Sequence, residues 1–322
     1  MHSCIVKSSV TSCSLRTKSF IIAAIVNDWP ALPLEAWRDT RDTLHRWTQI
    51  VGKIRMTLTP LINHWWNVPL YVTARGLTTS EIPYGDCWFD MEFDFVAHVL
   101  RVRTNDGSEH DIPLGPRSVA DLHHEIFAVL KSLHIECTIW TMPVEIATNA
   151  IPLDRDEQHR AYDRDAVQRF WQILALTTNV FTTFRAEFLG KCSPVHFFWG
   201  SFDLAVTRFS GRPAPVKAEA DPITREAYSH EVSSVGFWPG DERLALPSFY
   251  SYAAPEPDGF RTSKAAPDAA YYHPDLGGFY LHYDEVRRAT DPAQTLLDFC
   301  RSTYDAAADC GKWDRSLLER RR

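Results

Sequence analysis

The run Ser193-Pro-Val-His-Phe-Phe-Trp-Gly-Ser-Phe-Asp-Leu-Ala-Val-Thr-Arg-Phe-Ser-Gly-Arg212 is apolar at most positions yet carries a histidine and an aspartate, His196 and Asp203. Read as one strand, its side chains alternate between two faces. His196, Phe198, Gly200, Phe202, Leu204 and Val206 then share one face, and Val195, Phe197, Trp199, Ser201, Asp203, Ala205 and Thr207 the other. Both faces are mostly apolar, the pattern of a central strand covered on both sides. A carboxylate placed there needs a charged or hydrogen-bonding partner. Arg185, Arg208 and Arg212 are the candidates near in sequence. The alternative is a pocket wall that carries both polar groups. Strict alternation separates them, but a bulge at Gly200-Ser201 would bring His196 and Asp203 onto one face.

Outward from this strand, helix and strand signals alternate. Trp37, Leu44, Trp47, Val51, Ile54 and Leu58 form one apolar stripe and predict a helix between Pro33 and Pro60. Arg38, Asp39, Arg41, Asp42, Arg46 and Lys53 fall on its other face, the pattern of a solvated surface, while Arg55 lies near the stripe edge. Leu70 to Ala74 reads as a strand. Phe89, Met91, Phe93 and Phe95 alternate with Asp90, Glu92 and Asp94, which predicts a strand with an acidic, solvated face. The parity changes near Val96 to Val99, where a bulge or strong twist is expected. Asn105-Asp106-Gly107 marks a hairpin turn, and Ser118-x-x-Asp121 a capping box opening a second helix. Ile135 to Trp140 predicts a strand, Asp163 caps a long helix stopped by Gly190, and Asp291-Pro292 starts a last helix. Between these helices Ala227 to Phe237, Phe249 to Ala253 and Ala270 to Tyr283 read as strands.

The 322 residues, 45% hydrophobic and 12% aromatic, suffice for one large core or two ordinary ones. Net charge is -7, and residues 1–26 hold three cations and no acid, so the body of the chain is the acidic part. That balance argues against nucleic acid as the partner. The seven cysteines are scattered, odd in number and without a C-x-x-C pair, which points away from a disulfide framework and toward a reducing cytoplasm. No apolar run reaches the length of a membrane span. Residues 1–28 resemble a signal peptide only weakly and are expected to be a poorly ordered extension. The His123-His124-Glu125 run lacks the second imidazole of a helical metal motif, and no glycine-rich phosphate loop or nucleophile elbow is present.

Two polar clusters remain in otherwise apolar strands. Tyr228-Ser229-His230-Glu231 joins His196 and Asp203 to offer two imidazoles and two carboxylates. Such a set suits general acid and base work, with His230 and Asp203 as a cross-strand pair. It would also suit iron or zinc, although the usual ligand spacing is missing. Arg55 or Arg208 would clamp an anion. His64, Trp66, Tyr228 and Tyr252 either line a ligand pocket or fill core at element junctions.

The blocks Trp37 to Met56, Ser193 to Arg212, Arg225 to Val232, Phe249 to Tyr252 and Pro255-Glu-Pro257 resemble a bacterial family known as domain of unknown function 5996. The resemblance runs from about Trp29 to Ala308 and implies a bacterial, single-unit protein. It implies no activity, cofactor or catalytic residue. The expectation is an α+β fold, mainly antiparallel sheet with several packed helices. Residues 29–308 would form one domain, with 153 as a possible subdomain split, and 309–322 would be a frayed tail. The expected function is an enzyme acting on a small polar or aromatic metabolite through His196, Asp203, His230 and Glu231. The alternative is a non-catalytic protein that binds a small molecule or serves as a scaffold.

Overall fold

The computed structural model describes residues 29–146, 150–215 and 219–320. The expected N-terminal extension lies outside the described residues. The fold is α+β, with two antiparallel six-stranded sheets and seven α-helices among the described residues. The first sheet holds β1 (Tyr71–Val72), β2 (Gly76–Thr78), β3 (Ile82–Tyr84), β4 (Cys87–Asp94), β5 (Val99–Thr104) and β6 (Glu109–Pro113). The second holds β7 (His196–Phe198), β8 (Asp203–Pro213), β9 (His230–Trp238), β10 (Ser248–Ala254), β11 (Tyr271–His273) and β12 (Gly278–His282), ordered β11-β12-β10-β9-β8-β7. A two-way backbone bridge between Leu70 and Phe197 ties the sheets together.

Helix α1 (Leu34–Leu58) runs through the centre, against α2 (Val119–Ser132) and α3 (Arg164–Ala186). The Ser118 capping box and the Asp163 cap form as their sequences predict. The short α4 (Pro222–Ala227) and α5 (Tyr283–Arg287) precede α6 (Pro292–Cys310), which packs on α3 and on β9 and β10. One continuous cluster of buried apolar side chains extends from Trp29 to Trp313. The segment expected as a frayed tail carries α7 (Arg315–Leu318), and the Leu318 carbonyl accepts from the Leu189 and Gly190 N–H groups.

Three expectations about the chain path change. The run Ser193 to Arg212 is a hairpin, not one strand: the chain reverses between Phe198 and Asp203, with Phe202 at φ 60°. Both faces read as apolar because the turn is itself buried, its Phe202 ring stacked on Phe170 and tilted against His45. The parity change after Phe95 is likewise a turn, and Asp94 pairs with Val99 across it. Ile135 to Trp140 forms no strand; it belongs to an irregular connection between α2 and α3.

Two faces expected to be solvated are buried over much of their length. On β4, Glu92 accepts from Thr73 and Arg103, and Asp94 from Arg75 and the Val96 and Ala97 N–H groups. On α1, Arg41, Arg46 and Lys53 are buried, because loops cover the side of the helix that no sheet touches. Those polar side chains hold the loops: Arg46 faces Asp156 at 3.2 Å, Lys53 donates to the Met142 carbonyl and Arg41 to the Gly240 carbonyl.

Candidate functional site

The second sheet has two unlike faces. Leu204, Val206, Val235, Phe237, Phe249 and Leu281 are buried in the core, where α3 and α6 pack on the strands that carry most of them. On the other face, the register sets Phe198 beside Asp203 and Trp238, His196 beside Ala205, Gly236, Tyr250 and Tyr280, and Thr207 beside Ser234 and Tyr252. Small residues at the centre leave a depression flanked by rings. Roofed by the turn at Asn63–Trp65, by α4 and by Trp140 to Glu145, it becomes a cleft of about 890 Å³. That is within the ~300–1,000 Å³ range of small-molecule sites. Tyr228 at its rim is 39% exposed, so the cleft opens to solvent.

Asp203 is the polar centre of the floor. None of the three expected arginines pairs with it. Instead the Ser201 and Tyr250 hydroxyls donate to its carboxylate. Burial raises its pKa, and those two hydrogen bonds oppose the rise. Tyr250 reaches Asp203 from two strands away because its ring lies across Gly236, where a Cβ would overlap it. Tyr252 stacks on Tyr250 at 6.1 Å and shares a 2.9 Å hydrogen bond with Tyr228. Gly236→Ala should therefore lift the Tyr250 ring, break its contact with Asp203 and cost ~1–3 kcal/mol through overpacking. A urea titration read by near-UV tyrosine signals checks this; an unchanged signal and midpoint would refute it.

A second carboxyl arrives from the roof. Gln49 on α1 accepts from the Val144 N–H and donates to its carbonyl, both at 2.8 Å, which fixes the loop next to the hairpin turn. Glu145, at φ 56°, then points at Gly200; a Cβ there would sit 2.5 Å from its Oε1. The residue as a whole is exposed, but desolvation of its carboxyl at the cleft and then the nearby Asp203 raise the Glu145 pKa, and the Arg243 charge opposes the rise.

His196 is the other distinctive group. It is 1% exposed, borders the cleft, and neither ring nitrogen has a hydrogen-bond partner among the described residues. Trp66, Tyr71 and Phe198 surround it edge-on. Burial, then the charges of Arg55 and Arg185, lower its pKa to about 3, so it is neutral at pH 7.

The remaining candidates divide. The hairpin brings His196 and Asp203 onto one face, which the expected bulge was meant to do. His230 is elsewhere: it opposes Pro213, whereas Trp238 faces the Asp203 end of β8. Eight residues of strand separate these positions, about 27 Å at ~3.4 Å each, so the His230–Asp203 pair does not form. Instead the His230 ring lies edge-on to His64. Glu231 points to the other face and pairs with Arg212 at 2.6 Å. Arg208 also lies on the far side, packed among Phe184, Phe188 and Tyr304 with Glu187 3.9 Å away, and clamps nothing in the cleft. Arg55 is spent on the Asn67 and Thr79 carbonyls. His64, Trp66, Tyr228 and Tyr252 do line the cleft. The His64 Nδ1–H faces the Glu226 and Ala227 carbonyls, and its Nε2 accepts from Lys191 at 2.6 Å. Among the described residues no three His, Cys, Asp or Glu side chains gather at metal-binding distances.

Lys53, Glu145, Ser201 and Gly236 are the site residues that sequence reasoning did not single out. Tyr250 and Tyr252 carried a usable signal, two tyrosines on one face of a strand. Glu145 carried none, because its place depends on a loop clamp made by Gln49, far away in sequence.

The family model described as "Family of unknown function (DUF5996)" matches residues 29–320. No curated protein and no solved structure matches the chain. No helix among the described residues is long and apolar enough to cross a membrane.

Proposed function

The chain belongs to this family of unknown function, and from that premise we propose that its cleft binds a small, partly aromatic metabolite and moves a proton on it. Asp203 is the acid–base group. The observation that carries this is a buried carboxyl with a raised pKa on the floor of an open, aromatic cleft, held by Tyr250 and Ser201. Glu145 supports it. Two neighbouring carboxyl groups resist ionising together, so one keeps its proton toward neutral pH while the other acts as base. His196 supplies a fixed, neutral imidazole at the cleft wall, with both nitrogens buried and without a hydrogen-bond partner among the described residues.

We also take residues 29–320 as one folding unit, supported by the core that runs through both sheets. The five described cysteines are free thiols, which supports a reducing, cytoplasmic setting.

Asp203→Asn is the test, since it keeps the shape and a hydrogen-bond acceptor and removes the titration. A thermal-shift screen of small aromatic and polar metabolites should give ligands for both proteins. Those that wild type converts should be converted at least ~100-fold more slowly by the variant. Equal turnover would remove the acid–base role, and binding with no turnover by either protein would leave a non-catalytic binder.

A further inference from the structure

The cleft carries a second charged feature that the proton-transfer reading does not use. Lys53 leaves α1 toward the cleft, is 2% exposed, and has one hydrogen-bond partner among the described residues, the Met142 carbonyl at 3.0 Å. It makes no ion pair with any described residue. Its ammonium lies 5.0 Å from the Trp140 ring and 5.8 Å from the Trp199 ring. Trp140 is 67% exposed, a large apolar plate held at the mouth beside a buried cation. Burial alone accounts for the lowering of the Lys53 pKa to about 8, with no charged neighbour contributing.

The acidic pair lies elsewhere in the same cleft. Asp203 has the Ser201 and Tyr250 hydroxyls as partners, Glu145 feels Asp203 and the Arg243 charge at the cleft wall, and neither carboxyl pairs with Lys53. A buried ammonium, Lys53, and a buried carboxyl, Asp203, are thus present in one cavity without compensating one another, while Glu145 reaches the cleft from an exposed position. Each is costly to bury uncompensated. A ligand bearing one charge relieves one end only, and a ligand bearing both relieves both.

We infer, resting on the cleft as the ligand site, that its occupant is an amphoteric small molecule with a flat apolar body. Its anionic group sits at Lys53 beside Trp140 and Trp199, and its ammonium or other proton-donating group sits at Asp203 and Glu145. The aromatic floor of Tyr250 and Tyr252 covers the body between them. A substrate of this class presents its protonated nitrogen to the acid–base pair, which places the proton to be moved next to the groups that move it.

Calorimetric titration with matched ligand sets tests this. Tryptophan, tryptamine, indolepropionate and ethylindole share one ring and carry both charges, the positive one, the negative one and none. Corresponding sets on phenol and phenyl rings vary the body. The amphoteric member should bind tightest within at least one set. Lys53→Met should weaken the amphoteric and anionic members roughly ten- to hundredfold, the loss of a charged hydrogen bond, and leave the amine unchanged. The variant should also melt no lower than wild type, because it replaces an uncompensated buried ammonium with an apolar chain of similar length; a lower melting point would mark Lys53 as structural and overturn its role here. Affinities that ignore charge and survive Lys53→Met would overturn the inference and leave the cleft as a ligand site. No binding by any member to wild type would overturn both.

Discussion

Acidification from pH 6 to pH 4 is expected to remove on the order of 5 kcal/mol of stability through two histidines, His45 and His196. Both have their pKa lowered to about 3, chiefly by burial. His45 is locked in α1, its Nε2 2.8 Å from the Gly200 carbonyl and 3.1 Å from the Gln49 side-chain nitrogen. In the unfolded chain each takes a proton near the ordinary value of 6.5, whereas the folded protein takes none until about pH 3. The unfolded state therefore binds more protons between these limits, and stability falls as pH falls through them, by ~1.4 kcal/mol per histidine per pH unit.

Asp203 acts with the opposite sign. Its folded pKa is raised, so protonation favours the fold as pH falls toward 3.8 and offsets part of the loss. Total stabilities are ~5–15 kcal/mol, so the loss is a large fraction of the total and the urea midpoint should fall steeply with pH. Urea midpoints followed by circular dichroism from pH 7 to pH 4.5 measure the slope. His45→Gln should roughly halve it, and Asp203→Asn should steepen it. A flat profile over that range would show that neither histidine is held neutral by the fold.

Asp156→Ala is expected to cost ~3–5 kcal/mol, the scale for removing one partner of a buried charged network. The Asp156 side chain is fully buried, receives hydrogen bonds from the Gln158 and His159 N–H groups, lies 2.7 Å from the His159 Nδ1 and faces Arg46 at 3.2 Å. Its own carbonyl accepts from the Ala120 N–H at the start of α2. One residue thus pins the long connection between α2 and α3 to both α1 and α2. The same connection carries Trp140, Met142 and Glu145, so the variant should lose ligand affinity along with stability. Chemical denaturation at pH 7 gives the first quantity and the matched ligand sets give the second. Asp156→Asn, which keeps an acceptor but no charge, should fall between. A loss below about 1 kcal/mol for the alanine variant would show that Arg46 and the loop are held by other contacts.

The balance between local and distant information is visible in these same residues. The helices of Trp37, Ser118, Asp163 and Asp291 were legible because caps and apolar spacing act within a few residues. An aspartate in an apolar run implied company, and Asp203 has it. Which company was not legible. Arginines stand near it in sequence, whereas the partner Tyr250 reaches it across a third strand, over Gly236. His230 and Glu231 failed as site residues for a related reason: strand alternation is a local rule, but which residues of two strands stand opposite depends on where the chain turns.

The sequence by itself determined the α+β class, most helix starts, the alternation in β9 and β10, and His196 and Asp203 as polar groups needing explanation. Tertiary structure alone decided that Ser193 to Arg212 doubles back, that Lys53 and Arg46 face loops rather than water, and that Glu145 enters the cleft. The physical reason is range. Hydrogen bonds within a helix turn and side-chain alternation along a strand are set by neighbours in sequence. A buried charge is set by whichever distant segment closes over it, and that segment is chosen only when the whole chain packs.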